Sequence, residues 1–309
     1  MAPMISIIMP VKNAGRTVAA AVESFLNQSW PEKELVVADG ESTDATRDAL
    51  AGLAGQDNVR ILRATDGSAT EALMRAAGAA RGDVIGMLMA DDWLAPEALA
   101  RVGAAFGADG ELDVASGGVH LLAETTTPHP AQIIPASAIG LDIEPIIGTP
   151  YCGAFFFRTA RWRALKGFSQ AFRYGADRDF LMRCRLARLN AARLDAPLYV
   201  YRKHAGSDTL VENEAVVRAF LTDHLRMARS WLAHPNINPT EVARIRAWRR
   251  EQAVELALRC LRSGEAGDAL GVLASQSVAD PLTITAFARR AVSVGLAKLS
   301  GAGARRPSA

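Results

Sequence analysis

The sequence predicts an α/β fold: a doubly wound sheet of largely parallel strands, followed by an all-helical C-terminal extension. Three observations predict it. Short apolar runs alternate with helical periodicities through the first 120 residues or so. Beyond about Thr209 the composition turns to Ala, Arg and Leu without a strand signal. Between these, the stretch from Asp83 to Trp93 is an apolar run that ends abruptly in two adjacent acids, Asp91 and Asp92. A buried strand that delivers carboxylates at its carboxyl end is the usual arrangement of a ligand crevice in open α/β sheets.

Met4 to Met9 is an apolar run closed by Pro10, which predicts a first buried strand. A loop from Pro10 to Arg16 leads to a helix that Thr17 can cap, with Val18, Val22, Phe25 and Leu26 at helical spacing. Glu34 to Ala38 is the second strand, ending in Asp39-Gly40-Glu41-Ser42-Thr43-Asp44, and a helix then runs through Leu53. Val59 to Leu62 is the third strand, and Glu71 to Ala80 the next helix. A helix from about Pro96 to Phe106 and a strand from Asp113 to Val119 follow the paired acids. The segment from Glu124 to Pro150 carries five prolines and little periodicity, so a long irregular excursion is expected there. Cys152 to Phe157 reads as a strand, Thr159 to Leu165 as a short helix, Phe180 to Leu189 as an amphipathic helix and Leu198 to Tyr201 as a last short strand. Pro235, Pro239, Gly264 and Pro281 divide helices expected at about 212–233, 240–262, 265–275 and 282–299. Residues 301–309 read as a frayed tail.

With 309 residues, half of them hydrophobic, the chain can bury one large core or two smaller ones. Cys152, Cys184 and Cys260 are odd in number and share no close spacing, which argues against a disulfide framework or zinc cluster and fits a reducing compartment. Without a leader-like start or an apolar run of about 18 residues, a cytoplasmic protein is expected. Net charge is +2, but from Ala215 onward 14 Lys/Arg face 7 Asp/Glu. The basic C-terminal helices are either solvated faces or a peripheral contact with anionic lipid at the inner face of the plasma membrane. Leu282, Ile284, Phe287, Val292, Leu296 and Leu299, with Arg289, Arg290 and Lys298, are the residues of a possible amphipathic face, and packing against another part of the protein is the alternative.

Asp39, at the end of the second strand, can accept from a pyrimidine N–H or a ribose hydroxyl, or belong to a simple turn in which Thr43 or Asp44 caps the next helix. Asp91 and Asp92 lie at the same edge, one crossover away, and call for a nucleoside diphosphate and a divalent cation. Asp177 and Asp179, two residues apart at a helix start, do not share a helix face, so one can act as a base while the other caps or pairs with Arg178. Arg202, Lys203 and His204 can neutralise a diphosphate leaving group, and His204 can also reach a metal.

In their order and spacing these motifs resemble the family 2 glycosyltransferases of the GT-A fold. The resemblance spans roughly Met4 to Ser207 and rests on the run from Ser6 to Asn13, on Val37 to Thr46, and on Ala80-Arg81-Gly82-Asp83 leading to Asp91-Asp92. Later matches are Phe157-Arg158, Gly167-Phe168, Ala176-Asp177, and Tyr201-Arg202 with His204 and Ser207. It implies a GT-A catalytic domain over 1–208, with a nucleotide-sugar half to about 120 and an acceptor half from 121, before a helical region at 209–300. It also implies roles: Pro10 and Asn13 in the first nucleotide loop, Asp39 on a uracil or thymine base, Asp83 near the nucleotide, and Asp91 near the ribose or donor sugar. Asp92, with Asp91, would hold Mg²⁺ or Mn²⁺, Asp177 would be the catalytic base, and His204 would meet the metal-bound diphosphate.

The activity so implied is inverting, metal-dependent transfer from a UDP- or TDP-sugar to a saccharide or lipid-linked hydroxyl acceptor, in cell-envelope or exopolysaccharide assembly, with no nucleic acid partner. Three positions depart from the family: Met89 stands where relatives often carry a polar or acidic residue, Met74 where asparagine is frequent, and Ala176 where an acid precedes the base. The alternatives are a sugar-phosphate nucleotidyltransferase, which the single glycine in the first loop disfavours, and a binding module without turnover.

Overall fold

The computed structural model describes residues 2–52, 56–63, 65, 67–123, 132–203 and 213–299, with side chains to 293. It divides into two compact units, Met1–Leu210 and Val211–Ala309.

The first unit is built on one mixed sheet. Strands β1 (Ile5–Val11), β2 (Lys33–Asp39), β3 (Val59–Arg63) and β4 (Val84–Met87) are parallel and lie in the order β3-β2-β1-β4. Every residue of β1 is buried, as a run that is apolar but for Ser6 predicts for a central parallel strand. The order reverses direction beside β1, so the crevice lies where β1, β2 and β4 end. Past β4 the sheet continues through β8 (Phe155–Arg158), β6 (Val114–Ala123), β9 (Ala191–Lys203) and the two-residue β5 (Trp93–Leu94), with β7 (Gln132–Ile134) on β6. Strand β8 is antiparallel to β4, pairing Gly86 with Phe156 and Val84 with Arg158. Residues just before β8 therefore stand at the carboxyl end of β4.

Helix α1 (Val18–Leu26) forms where predicted, but Thr17 makes no capping bond to it; its hydroxyl donates to the Ala14 carbonyl. Helices α2 (Thr46–Ala51), α3 (Ala69–Ala79) and α4 (Ala98–Ala108) complete the crossovers. The excursion holds β7, a single 3₁₀ turn and the short α5 (Ile143–Ile147), while 124–131 lie outside the described residues. Strand β9 is 13 residues long, where only Leu198 to Tyr201 was expected. Arg193, Asp195 and Pro197 mask it in the sequence, and register shifts beside Gly117 and Gly118 of β6 accommodate them.

Helix α6 (Thr159–Ala164) and helix α7 (Ala176–Leu186) pack on β8 through Phe157, Trp162, Phe168 and Phe180, whose ring centroids lie 4.5–5.6 Å apart. Phe180 is fully buried, which stabilises the seat of α7 by about 2–3 kcal/mol. From α7, Arg178 donates to the Ile146 and Gly148 carbonyls at 2.6 and 2.9 Å, tying down the end of α5.

The second unit contains α8 (Glu214–Leu232), α9 (Pro239–Arg262), α10 (Ala266–Ser277) and α11 (Leu282–Leu299). Asn238 and Glu241 form a reciprocal capping box with Pro239 in the first turn of α9. Leu221, Leu225, Leu256, Cys260 and Ala269 make the core, with Phe287 of α11 packed against it. Phe287 is thus turned inward, whereas Leu282, Ile284 and Val292 are exposed.

Candidate active site

The acids at the carboxyl edge are held in different ways. Asp39, the last residue of β2, is fully buried. Its Oδ1 accepts from the N–H and hydroxyl of Ser42 at 3.0 and 2.6 Å. Its Oδ2 is buried with no hydrogen-bond donor, and Arg47 Nε stands 3.8 Å away on a half-exposed side chain. A buried carboxylate oxygen without a donor is costly unless a ligand supplies one.

Around Asp39 the loops after β1 and β2 are knitted together. Asn13 adopts φ +53°, a left-handed conformation that asparagine tolerates better than most residues. Its N–H donates to Ser42 Oγ at 2.9 Å, and its Oδ1 accepts from the Thr43 N–H at 2.9 Å. Ala14 N–H donates to Thr46 Oγ1 and Gly15 N–H to Asp44 Oδ2. Asp44 thus serves the neighbouring loop as well as the Thr46 N–H at the start of α2. Pro10 lies within β1, paired with Ala38, and leads into this loop.

Asp91 follows β4 and is half-buried. Asp92 is 2% exposed, and both of its oxygens are occupied: Oδ2 accepts from the Tyr199 hydroxyl and Oδ1 from the Arg202 N–H, each at 2.8 Å. Burial, with Asp91 alongside, pushes the Asp92 carboxyl up to about 7 against these two hydrogen bonds. Tyr199 also accepts from the Met89 N–H at 3.1 Å, and burial first, then Asp92, keep its phenol well above the ordinary value and so protonated. The expectation that Asp92 itself faces a metal therefore departs from this geometry. Asp92 braces the turn that presents Asp91, and the Arg202 guanidinium stacks 4.7 Å above Trp93 while donating to the Asp91 carbonyl.

Asp83 requires a correction. It stands at the amino end of β4, where its Oδ2 accepts from the Met4 N–H at 2.9 Å. This is the opposite edge of the sheet from Asp39 and Asp91, so Asp83 does not approach a nucleotide in the crevice. Gly82 beside it donates to Ser6 Oγ, which donates in turn to Glu34, and Glu34 pairs with Arg60 at 2.9 Å. The Arg81-Gly82-Asp83 motif is a structural latch.

Asp177 is in the first turn of α7 and half-buried. Asp179 is buried and pairs with Arg183 at 2.8 Å. Among the described residues no hydrogen bond or salt bridge takes up Asp177. Burial and, next, the charge of Asp177 raise the pKa of Cys152, so Asp177 is within electrostatic reach of the turn that precedes β8. In that turn a Cβ on Gly153 would lie 2.4 Å from the Tyr199 ring. The series Asp177, Cys152, Gly153, Tyr199, Asp92 thus brings the α7 acid and the β4 acids to one edge. His204 lies outside the described residues.

A divalent cation suits this donor set in a limited way. Among the described residues no three His, Cys, Asp or Glu side chains converge, and each Asp92 oxygen already accepts a hydrogen bond. Asp91, half-buried after β4, is the acid of the pair that remains for a cation, and Mg²⁺ is commonly held by one or two carboxylates together with substrate phosphates and water.

The glycosyl transferase family 2 model matches residues 6–165, more than half of the chain. The chain belongs to glycosyl transferase family 2. It is 46% identical over 44 residues to EpsE of Bacillus subtilis (strain 168), described as a glycosyltransferase, a match that spans 14% of this chain and 16% of that protein. Among solved structures it resembles residues 1–349 of TarS from S. aureus in complex with UDP-GlcNAc, with TM-score 0.66 and 19% identity over 92% of this chain and 83% of TarS. It also resembles the mannosyltransferase PcManGT from Pyrobaculum calidifontis in complex with GDP-Man and Mn²⁺, with TM-score 0.60 and 16% identity over 96% and 81% of the two chains. At these identities the structural likeness establishes the GT-A fold. Family membership places the chain among the glycosyltransferases and argues against the nucleotidyltransferase reading.

The sequence reading missed Ser42, Tyr199 and the backbone of Arg202. A tyrosine inside a buried strand needs a partner for its hydroxyl, and the doubled acid was the natural place to look for it.

Proposed function

We propose that this glycosyltransferase moves a sugar from a UDP- or TDP-linked donor to a hydroxyl acceptor with inversion, in cell-envelope or exopolysaccharide assembly. The observation that carries the donor class is Asp39 Oδ2, a buried acceptor without a donor at the carboxyl end of β2. The imide N–H of uracil or thymine supplies that donor, with the half-exposed Arg47 moving aside. The bound donors of TarS and PcManGT, UDP-GlcNAc and GDP-Man, are both nucleotide sugars and support the general class.

Asp91, braced by Asp92, is the residue that would hold Mg²⁺ or Mn²⁺ on the diphosphate, with His204 the further candidate from the sequence. The cation, when bound, neutralises charge that develops on the leaving diphosphate. Asp177 accepts the proton of the acceptor hydroxyl as its oxygen bonds the anomeric carbon and the bond to the diphosphate breaks. With Asp177 as the base on the acceptor side and Asp91 at the diphosphate, base and leaving group would stand on opposite sides of the sugar. That arrangement favours inversion by direct displacement.

The test is a thermal-shift titration of wild type and Asp91→Asn with UDP, TDP, GDP and CDP, each with and without Mn²⁺. Stabilisation by UDP or TDP that Mn²⁺ enhances only in the wild type is expected. A response to GDP alone would overturn the donor class, and equal Mn²⁺ enhancement in both proteins would overturn the role of Asp91.

A further inference from the structure

The second unit carries a basic cluster that the transfer reaction does not use. A small depression between α9 and the α10–α11 junction is lined by Arg246, Arg249, Arg250, Gln276, Asp280 and Thr283. Its parts are committed unequally. Arg250 Nε donates to Asp280 Oδ2 at 2.8 Å, and the other oxygen of Asp280 accepts from the Leu282 N–H at 3.1 Å, so the one carboxylate in the depression is already neutralised and bonded. Arg249 donates through Nε to Gln276 Oε1 at 2.7 Å, which fixes the side chain at the wall of the depression. Arg246 is exposed and pairs with no acid among the described residues. Burial, followed by the nearby charges of Arg229 and Arg246, holds the pKa of Arg249 below its ordinary value.

Thr283 is the second, independent observation. It is 1% exposed, lies in the first turn of α11, and its Oγ1 is buried without a hydrogen-bond partner. A lone buried hydroxyl is destabilising unless something enters to bond it, and here it lines the same depression as uncompensated guanidinium groups.

We propose that Arg246, Arg249 and Thr283 form a binding site for a phosphate oxyanion. Two guanidinium groups supply charge-assisted donors in a geometry that suits tetrahedral oxyanions, and the threonine hydroxyl donates to an inserted oxygen. The depression encloses only about one water's worth of space, so one phosphate oxygen enters and the remainder of the group stays at the surface. Beside it Val278, Leu282 and Ile284 are 89%, 56% and 56% exposed. Apolar side chains flanking a phosphate site match a phospholipid headgroup at the interface, and a free phosphate or phosphomonoester shares the same chemistry.

The experiment uses the full chain. One arm measures thermal stabilisation by inorganic phosphate against chloride at matched ionic strength, and the other measures cosedimentation with phosphatidylglycerol-containing vesicles against phosphatidylcholine vesicles. The variants are Arg246→Gln/Arg249→Gln and Thr283→Val, and UDP-dependent stabilisation serves as the control for an intact first unit. The expected result is a saturable response in at least one arm that weakens by about tenfold or more in the arginine double variant. Thr283→Val should weaken it severalfold while melting at or above the wild-type temperature, since the replacement removes an unbonded hydroxyl. Phosphate stabilisation alone assigns the site to soluble phosphates, and vesicle binding lost in the double variant assigns it to a lipid headgroup. No response in either arm, or a response unchanged in both variants, overturns the proposal. A double variant that fails to fold leaves Thr283→Val to decide between these outcomes.

Discussion

Tyr199→Phe removes one hydroxyl and breaks two buried bonds, and its cost should depend on pH in a calculable way. The hydroxyl accepts from the Met89 N–H and donates to Asp92 Oδ2. An orphaned buried N–H costs about 1–3 kcal/mol, and a lost bond to a charged group about 1.5–3 kcal/mol, so about 3–5 kcal/mol is expected where Asp92 is ionised. The Asp92 carboxyl has its native pKa raised to about 7, against about 3.9 when unfolded. Between those values the native state holds a proton that the unfolded state has lost. The stabilising contribution is full below about pH 4, declines as pH rises, and levels off above about pH 7. The Tyr199 hydrogen bond is one of the influences holding the native value down, so the variant's native pKa moves higher. Wild type should level off above about pH 7 while the variant continues to lose stability. Urea denaturation at about pH 5.5 and about pH 8.5 measures both. A difference between the proteins below about 1 kcal/mol at the higher pH, or one equal at the two pH values, would refute the brace as described.

Other perturbations separate the roles of individual residues. Asp39→Asn should weaken UDP binding by about tenfold to a hundredfold in calorimetry, since the lost acceptor was charged, with GDP binding much less affected. Asp177→Asn should leave donor binding at the wild-type level and lower the transfer rate by about 10²–10⁴-fold; wild-type turnover would remove it from the reaction. Gly103→Ala puts a Cβ 2.4 Å from the Trp30 ring, where α4 crosses the loop before β2, and should cost about 1–3 kcal/mol by overpacking in thermal or urea melts. Arg183→Met removes both the ion pair to Asp179 and the bonds to the Leu165 and Gly167 carbonyls. It should destabilise by about 3 kcal/mol or more in urea melts, because the buried Asp179 loses its ion pair with Arg183.

The parts of this protein legible in its sequence are those where one residue type has one physical use. A run as apolar as β1, with Ser6 its one polar residue, is suited only to burial, and Pro239 after Asn238 suits a helix start, so the α/β core and the C-terminal helices were readable. Strand β9 was hidden because its outer half carries Arg193, Asp195 and Pro197, and its pairing depends on a distortion in β6 that lies far away in the chain. Among the acids, proximity in sequence misled. Asp83 and Asp91 flank the same short strand, and the sequence does not say which end of it faces the crevice until the strand is placed in the sheet. Asp91 and Asp92 are neighbours with opposite surroundings, because a side chain 107 residues away occupies one of them. Met74 stands where the family often carries asparagine; its sulfur accepts from the Phe168 N–H, which makes it part of the packing under α7.

The stitching between the loops after β1 and β2 bears on how this enzyme can be altered. Asn13, Ala14 and Gly15 on one loop and Ser42, Thr43, Asp44 and Thr46 on the other exchange their bonds chiefly with each other. The two segments are therefore one unit of inheritance, although 26 residues separate Arg16 from Thr43. A chimera that imports the first loop from a relative without the second would leave backbone donors of one parent facing side chains of another. Specificity for the base is best transplanted as a pair of loops, with the sheet beneath them left as it is.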